Sequence, residues 1–263
     1  MTGLLKRLFI WTIAAGLILP FAVVFGVSIN AESNIAFPPT EFSGRWYIML
    51  LTESDWLIPI GNSFTIAFFA ALIAVSIALA ANYVLWRLNS GFGRAIFALG
   101  IGPFLLPPII IAMGASVFWA EAGWYGRMEA TIISHGVFFV TLPLVVISRG
   151  FAALSDDVID ASRIMGATPR QTFTKVILPL VAPYVVTGYV LVAIISVNEY
   201  LISYMVSGFA VETLPIRIFN NVRYGYSPVV ASAAMGFAFI TVLSLLALSM
   251  VTDLLKLLGA RRD

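Results

Sequence analysis

Residues 155–179 read Ser155-Asp156-Asp157-Val158-Ile159-Asp160-Ala161-Ser162-Arg163-Ile164-Met165-Gly166-Ala167-Thr168-Pro169-Arg170-Gln171-Thr172-Phe173-Thr174-Lys175-Val176-Ile177-Leu178-Pro179. The pattern predicts two short helices separated by a sharp bend. Ser155 is a good N-cap, and Asp156 and Asp157 fall in the first turn, where the helix dipole favours anions. Gly166 closes that helix as a C′ residue. Thr168 then caps a second helix, Pro169 takes its first position, and Gln171 completes a capping box. Ile159, Ile164 and Met165 make an apolar face with nothing to pack against inside so short a loop. Such a segment either docks on another protein or lies along a membrane surface with its basic residues turned to the headgroups.

What flanks this segment decides the fold class. Apolar residues make up 60% of the 263-residue chain and charged residues 11%, against roughly 45–50% and about 25% in soluble domains. A soluble chain of this size could not hide so much apolar surface. The same composition excludes disorder and collagen-like repeats. The absence of cysteine excludes disulfides, thiolate metal sites and a Cys nucleophile. A net charge of +2 does not point to nucleic acid. The expectation is an all-α integral membrane protein, one transmembrane domain over residues 1–263.

A membrane-spanning helix needs about 20 mainly apolar residues. Six such runs are present, at about 8–29, 60–85, 95–118, 130–148, 181–206 and 229–251. The first follows Lys6 and Arg7, as a signal peptide would, but it is longer than a signal-peptide core and no good cleavage site follows, so it counts as a span. Eleven of the 15 basic residues gather on one side: Lys6, Arg7, Arg87, Arg94, Arg149, Arg163, Arg170, Lys175, Lys256, Arg261 and Arg262. Arg45, Arg127, Arg217 and Arg223 fall on the other. Positive-inside bias then puts both termini and the loop at 149–179 in the cytoplasm. The outer loops carry Glu32, Glu41, Glu53, Asp55, Glu121, Glu129 and Glu212, an acidity read as simple solvation. Trp46, Trp56, Trp119, Trp124 and Tyr125 are expected as interface-belt aromatics.

The third run holds Gly100, Gly102, Pro103, Pro107, Pro108 and Gly114. Adjacent prolines remove helix donors and disfavour the helical conformation before them. The break survives in a bilayer where protein or a water-filled cavity covers it. Its use is either a path or a packing kink. His135, the sole histidine, has no second His or carboxylate near it in sequence, so no metal site is expected and its role is read as structural hydrogen bonding. Glu199 sits in Ser196-Val197-Asn198-Glu199-Tyr200, deep in the fifth run, where a carboxylate costs about 2.5–3.5 kcal/mol. It either lines a substrate path with Asn198 and Ser196 or is paired with an Arg elsewhere.

The loop spacing resembles the EAA motif of ABC-importer permeases: E-A-A, three residues, Gly, nine residues, I-x-L-P. Here it is Asp160-Ala161-Ser162, then Gly166, then Val176-Ile177-Leu178-Pro179, with Asp for Glu, Ser for the second Ala and Val for Ile. The resemblance implies a type I importer permease of six transmembrane helices in the bacterial inner membrane. It implies that 149–179 is a coupling-helix loop seated in a groove of an ATP-binding subunit, with Asp160, Ala161, Ser162, Gly166 and Ala167 carrying the contact. The likeness extends over nearly the whole chain and is to the spermidine/putrescine-type permeases, the second of their two permease subunits. Matching stretches include Arg45-Trp46-Tyr47, Asn62-Ser63, Ser134-His135 with Pro143, Leu214-Pro215-Ile216-Arg217-Ile218-Phe219, and Ser227-Pro228. Polyamine-type members usually carry two acids where this chain has Asn198 and Glu199, and often one where it has Pro108.

These departures leave a zwitterion such as an amino acid, an opine or an aminophosphonate as an alternative cargo. No G-x-x-x-x-G-K-[ST] occurs, so no P-loop nucleotide site is expected on this chain. The resemblance instead implies ATP and Mg on two partner ATPase subunits, a pseudo-twofold pore formed with a second permease, and delivery by a periplasmic binding protein. The expected path residues are Glu199, Asn198, Ser196, Pro108 and, near the outer mouth, Trp46. A self-contained carrier relaying protons through His135 and Glu199 is the competing class, but no internal repeat accompanies it. No nucleophile–base pair or metal set suggests an enzyme, so no catalytic residue is expected.

Overall fold

The computed structural model describes residues 3–88, 91–224 and 227–251. Lys256, Arg261 and Arg262 lie outside the described residues. The described chain is all-α, with a single isolated bridge between Asn30 and Phe42. It divides into two compact units, one of residues 1–60 and 214–243, the other of 61–213 and 244–263.

The first unit contains α1 (Gly3–Ser28), α2 (Arg45–Thr52), the start of α3 (Ser54–Leu88), α12 (Leu214–Tyr224) and most of α13 (Val229–Val251). Its core is Trp46, Leu50, Trp56, Leu214, Val229 and Ala233. Trp46 and Trp56 are therefore packed inside the protein, 8% and 3% exposed, rather than lying in an interface belt. The indole N–H of Trp46 donates to Asn30 O at 2.7 Å, which satisfies its polar end, as a buried Trp requires.

The second unit holds the rest of α3 and α4 (Gly91–Ile101), a 3₁₀ turn (Gly102–Leu105), α5 (Pro108–Glu121), α6 (Met128–Phe138) and α7 (Thr141–Ala152). It continues with α8 (Asp156–Ile164), α9 (Pro169–Thr172), a π turn (Phe173–Ile177), α10 (Leu178–Asn198) and α11 (Leu201–Ser207). Two buried clusters lie along it. One joins Val75, Ala78, Val140, Leu144, Ile147 and Ile177 with Ile159 of α8. The other joins Ala71, Ala74, Ala112, Ala130, Phe138, Val192 and Ile202. Small residues set the helix spacing: a Cβ on Gly188 of α10 would come within 2.8 Å of Pro143 Cβ in α7. Asn82 of α3 donates to Ala78 O and Leu144 O at 2.9 and 3.0 Å, tying α3 to α7.

Among the described residues, four helices are long and apolar enough to cross a membrane: Leu5–Ser28, Ser54–Leu88, Pro169–Asn198 and Val229–Ser249. Two further candidates are bent pairs, Gly91–Leu105 with Pro108–Glu121 at 106°, and Met128–Phe138 with Thr141–Ala152 at 45°. The first bend falls where the Pro107-Pro108 pair predicts a break, with Leu106 and Pro107 extended (ψ 144° and 133°). The second departs from the unbroken run expected at 130–148. Its cause is Pro143, which has no N–H for the carbonyl of Phe139 and whose ring crowds it. The fifth run also departs from expectation. Continuous helix stops at Asn198, and Glu199 is extended at φ −79°, ψ 124°.

Candidate functional site

Two places concentrate the chemistry of the second unit: the loop around α8 and the break between α10 and α11. The loop is built as its residues dictate. Gly166 adopts φ +81°, a left-handed conformation that only glycine enters without cost. Its N–H donates to Arg163 O at 2.9 Å, and Ala167 N–H to Ser162 O at 3.0 Å. This pair of bonds is a Schellman closure of α8. Thr168 and Gln171 form the expected capping box, each side chain on the other's backbone N–H, with Pro169 at N1. Ser155 takes the N-cap position of α8 but makes no side-chain capping bond.

The packing of α8 corrects one expectation. Ile159 is 4% exposed, inside the core with Phe151 and Ile177, so it anchors the loop to the helices behind it. Ile164 and Met165, by contrast, are 86% and 82% exposed. Among the motif residues, Ser162 is buried; its Oγ donates to Ile159 O at 2.7 Å and lies 3.1 Å from Thr172 Oγ1, linking α8 to α9. Asp160 is exposed and paired with Arg163 at 3.1 Å. Ala161 and Gly166 are exposed and Ala167 is half-buried. The loop thus presents one rigid outer face carrying two unpartnered apolar side chains.

At the second place, Glu199 acts as a helix cap. Its Oε1 accepts from Ile202 N–H at 2.7 Å and its Oε2 from Ser203 N–H at 3.0 Å. These are orphan donors of the first turn of α11, which explains why the apolar run breaks here, where the sequence Val197-Asn198-Glu199-Tyr200 holds neither Pro nor Gly. The same Oε2 lies 3.0 Å from Nε2 of fully buried His135 in α6. A carboxylate only accepts, so Nε2 carries the proton and donates. The other ring nitrogen, Nδ1, lies 2.8 Å from Ser196 Oγ in α10. Ser203 Oγ, 3.2 Å from both Glu199 Oε2 and His135 Nε2, closes the cluster.

Of the expected path residues, the fold brings Ser196 and Glu199 into this cluster and turns Asn198 outward. Asn198 is exposed, its Nδ2 donating to Ile194 O at 2.7 Å. Pro108 is exposed at the first position of α5. Trp46 belongs to the first unit and is buried there. The partner of Glu199 is thus a histidine, not an arginine. Sequence reading joined His135 and Glu199 only as relay groups of the competing carrier, and did not name Ser203. The available signal was chemical: His135 is the sole histidine and Glu199 the sole carboxylate within the six apolar runs.

Residues 73–262 match the family described as "Binding-protein-dependent transport system inner membrane component". The spermidine/putrescine transport system permease protein PotC of Haemophilus influenzae is 27% identical over 247 residues, 94% of this chain and 93% of that protein. The putrescine transport system permease protein PotI of Escherichia coli K12 is 31% identical over 200 residues, 73% of this chain and 71% of that protein. A bacterial ABC transporter involved in the import of the acidic polysaccharide alginate shares the fold at a TM-score of 0.68. It is 16% identical, with 95% of this chain and 94% of that chain covered.

Proposed function

The chain belongs to the family of binding-protein-dependent transport system inner membrane components, and from that premise we propose its layout, its partners and its cargo. It is a permease subunit of an ATP-driven importer, with ATP hydrolysis left to separate subunits. The layout has six spans, each bent pair counting as one. Both termini face the cytoplasm, a reading supported by the excess of Lys and Arg on the α8 side. The working complex joins this chain to a second permease, two ATP-binding subunits that carry ATP and Mg, and a periplasmic substrate-binding protein.

The observation that carries this reading is the loop. Its Schellman closure and capping box fix α8 and α9 against each other, and Ile159 roots α8 in the core. Movement imposed on Ile164 and Met165 therefore reaches the helices behind. We assign Asp160, Ala161, Ser162, Gly166 and Ala167 to this coupling surface. The cargo is a polyamine, supported by the names of the two relatives above. Its path runs past the broken fifth span, with Ser196, Asn198 and Glu199 at the break and Pro108 and Trp46 as further members.

The test is ATPase stimulation of the reconstituted complex with its cognate binding protein, using putrescine, spermidine, 4-aminobutyrate, an opine and an aminophosphonate. Stimulation by the di- and triamine bears out the polyamine reading. Stimulation only by a zwitterion overturns it and makes Asn198 and Pro108 the marks of a changed cargo.

A further inference from the structure

A path for an organic cation needs an attractive surface, and the carboxylate of the fifth span is already committed. Glu199 receives hydrogen bonds from Ile202 N–H, Ser203 N–H, Ser203 Oγ and His135 Nε2, and its side chain is 11% exposed. An amine could reach it only by taking apart the cap of α11. The outward side of the same break offers something different. Asn198 is exposed, and with its Nδ2 donating to Ile194 O its carbonyl oxygen remains as the side chain's acceptor. Tyr200 and Tyr204 stack at 5.3 Å between ring centroids and 20° between planes, with Tyr204 44% exposed. An exposed amide at Asn198 and an exposed ring at Tyr204, backed by half-buried Tyr200, within one apolar run call for water or protein rather than lipid tails. Electron-rich ring faces attract organic ammonium groups, most strongly where water is scarce.

We infer that the transported amine is received by the ring of Tyr204, backed by Tyr200, and by the carbonyl oxygen of Asn198. Glu199 is a positioning residue that sets the direction of α11 and never touches the cargo. This rests on the polyamine reading above and refines it.

The chain has no cysteine, so Tyr204→Cys introduces its only thiol, and labelling is read on this chain after the subunits are separated. The complete importer, reconstituted in proteoliposomes, is exposed to a cationic, water-borne methanethiosulfonate reagent. The expected result is labelling, slowed severalfold by putrescine during ATP turnover. Tyr204→Leu should lower putrescine imported per ATP hydrolysed by about tenfold and Tyr204→Phe by no more than about twofold, the size of a partly desolvated cation–π contact. Glu199→Gln should lower uptake and stimulated ATPase together, leaving their ratio within about twofold. Combined with Tyr204→Cys it should shift the labelling rate severalfold, while Gly188→Ala, a packing change elsewhere on α10, should not. Failure of the reagent to label the Tyr204→Cys importer, or an unchanged ratio in Tyr204→Leu, overturns the inference, and neither depends on Glu199→Gln folding. A wild-type complex that imports no amine removes the polyamine reading, and this inference with it, before any variant is made.

Discussion

His135 Nε2 and Glu199 Oε2 lie 3.0 Å apart, and this one contact fastens α6 to the turn where the fifth apolar run breaks. The histidine reaches α10 through Ser196, the break through Glu199 and α11 through Ser203. Three helical segments are thereby held in one relative orientation by a single buried ring.

Removing that ring should be costly. His135→Ala removes one of the hydrogen-bond donors to buried Glu199, a loss of about 1–3 kcal/mol for a hydrogen bond to a charged group. The expected outcome is a lower melting temperature in detergent. A double-mutant cycle with Glu199→Ala should give a coupling energy above about 1 kcal/mol. Additive effects of the two changes would mean that the contact contributes nothing of its own.

Gly166 should rank its substitutions by their tolerance of positive φ. An L-residue in the left-handed region costs roughly 1–2 kcal/mol, and Asn is the least disfavoured. Proline cannot reach φ +81° and loses the N–H that donates to Arg163 O. Uptake by the reconstituted importer should fall in the order Gly, Asn, Ala, Pro, with Gly166→Pro inserted in the membrane but inactive. Wild-type uptake by Gly166→Pro would remove this loop from coupling.

The loop was almost wholly legible in the sequence because its signals are local. Gly166 as C′ residue and the Thr168–Gln171 box need only a few neighbouring residues, and both appear as read. The proline break before α5 was legible for the same reason. What could not be read depended on distance along the chain. The bend at Phe139 follows from Pro143 four residues later, a local signal that was available and unused. The break at Glu199 follows from a carboxylate turning back on its own backbone while held by His135, 64 residues away. Composition marked Trp46 and Trp56 as belt aromatics because apolar runs alone do not tell lipid-facing from protein-facing surface. Their burial with Leu214 and Val229 is a tertiary fact.

Gly188 tests the packing of α10 on α7. A methyl there would lie 2.8 Å from Pro143 Cβ and 3.0 Å from its Cα, and neither atom belongs to a flexible side-chain end. Overpacking of this kind costs about 1–3 kcal/mol. Gly188→Ala should therefore destabilise the chain measurably in a detergent melt, although alanine is the better helix former. Unchanged or raised stability would show that the two helices separate freely.

Within α8, two kinds of apolar side chain should behave in opposite ways. Ile159 is 4% exposed and sits in the core, so Ile159→Ala should cost about 2–5 kcal/mol in stability. Ile164 and Met165 are 86% and 82% exposed, so Ile164→Asp and Met165→Asp should leave the melt of the isolated chain within about 0.5 kcal/mol. Those same changes would bury a charge in any apolar groove that receives the loop. Co-purification with the ATP-binding subunit should then be lost for the Asp variants and retained for Ile159→Ala wherever that protein folds. Retention by both Asp variants would place the contact elsewhere on the chain.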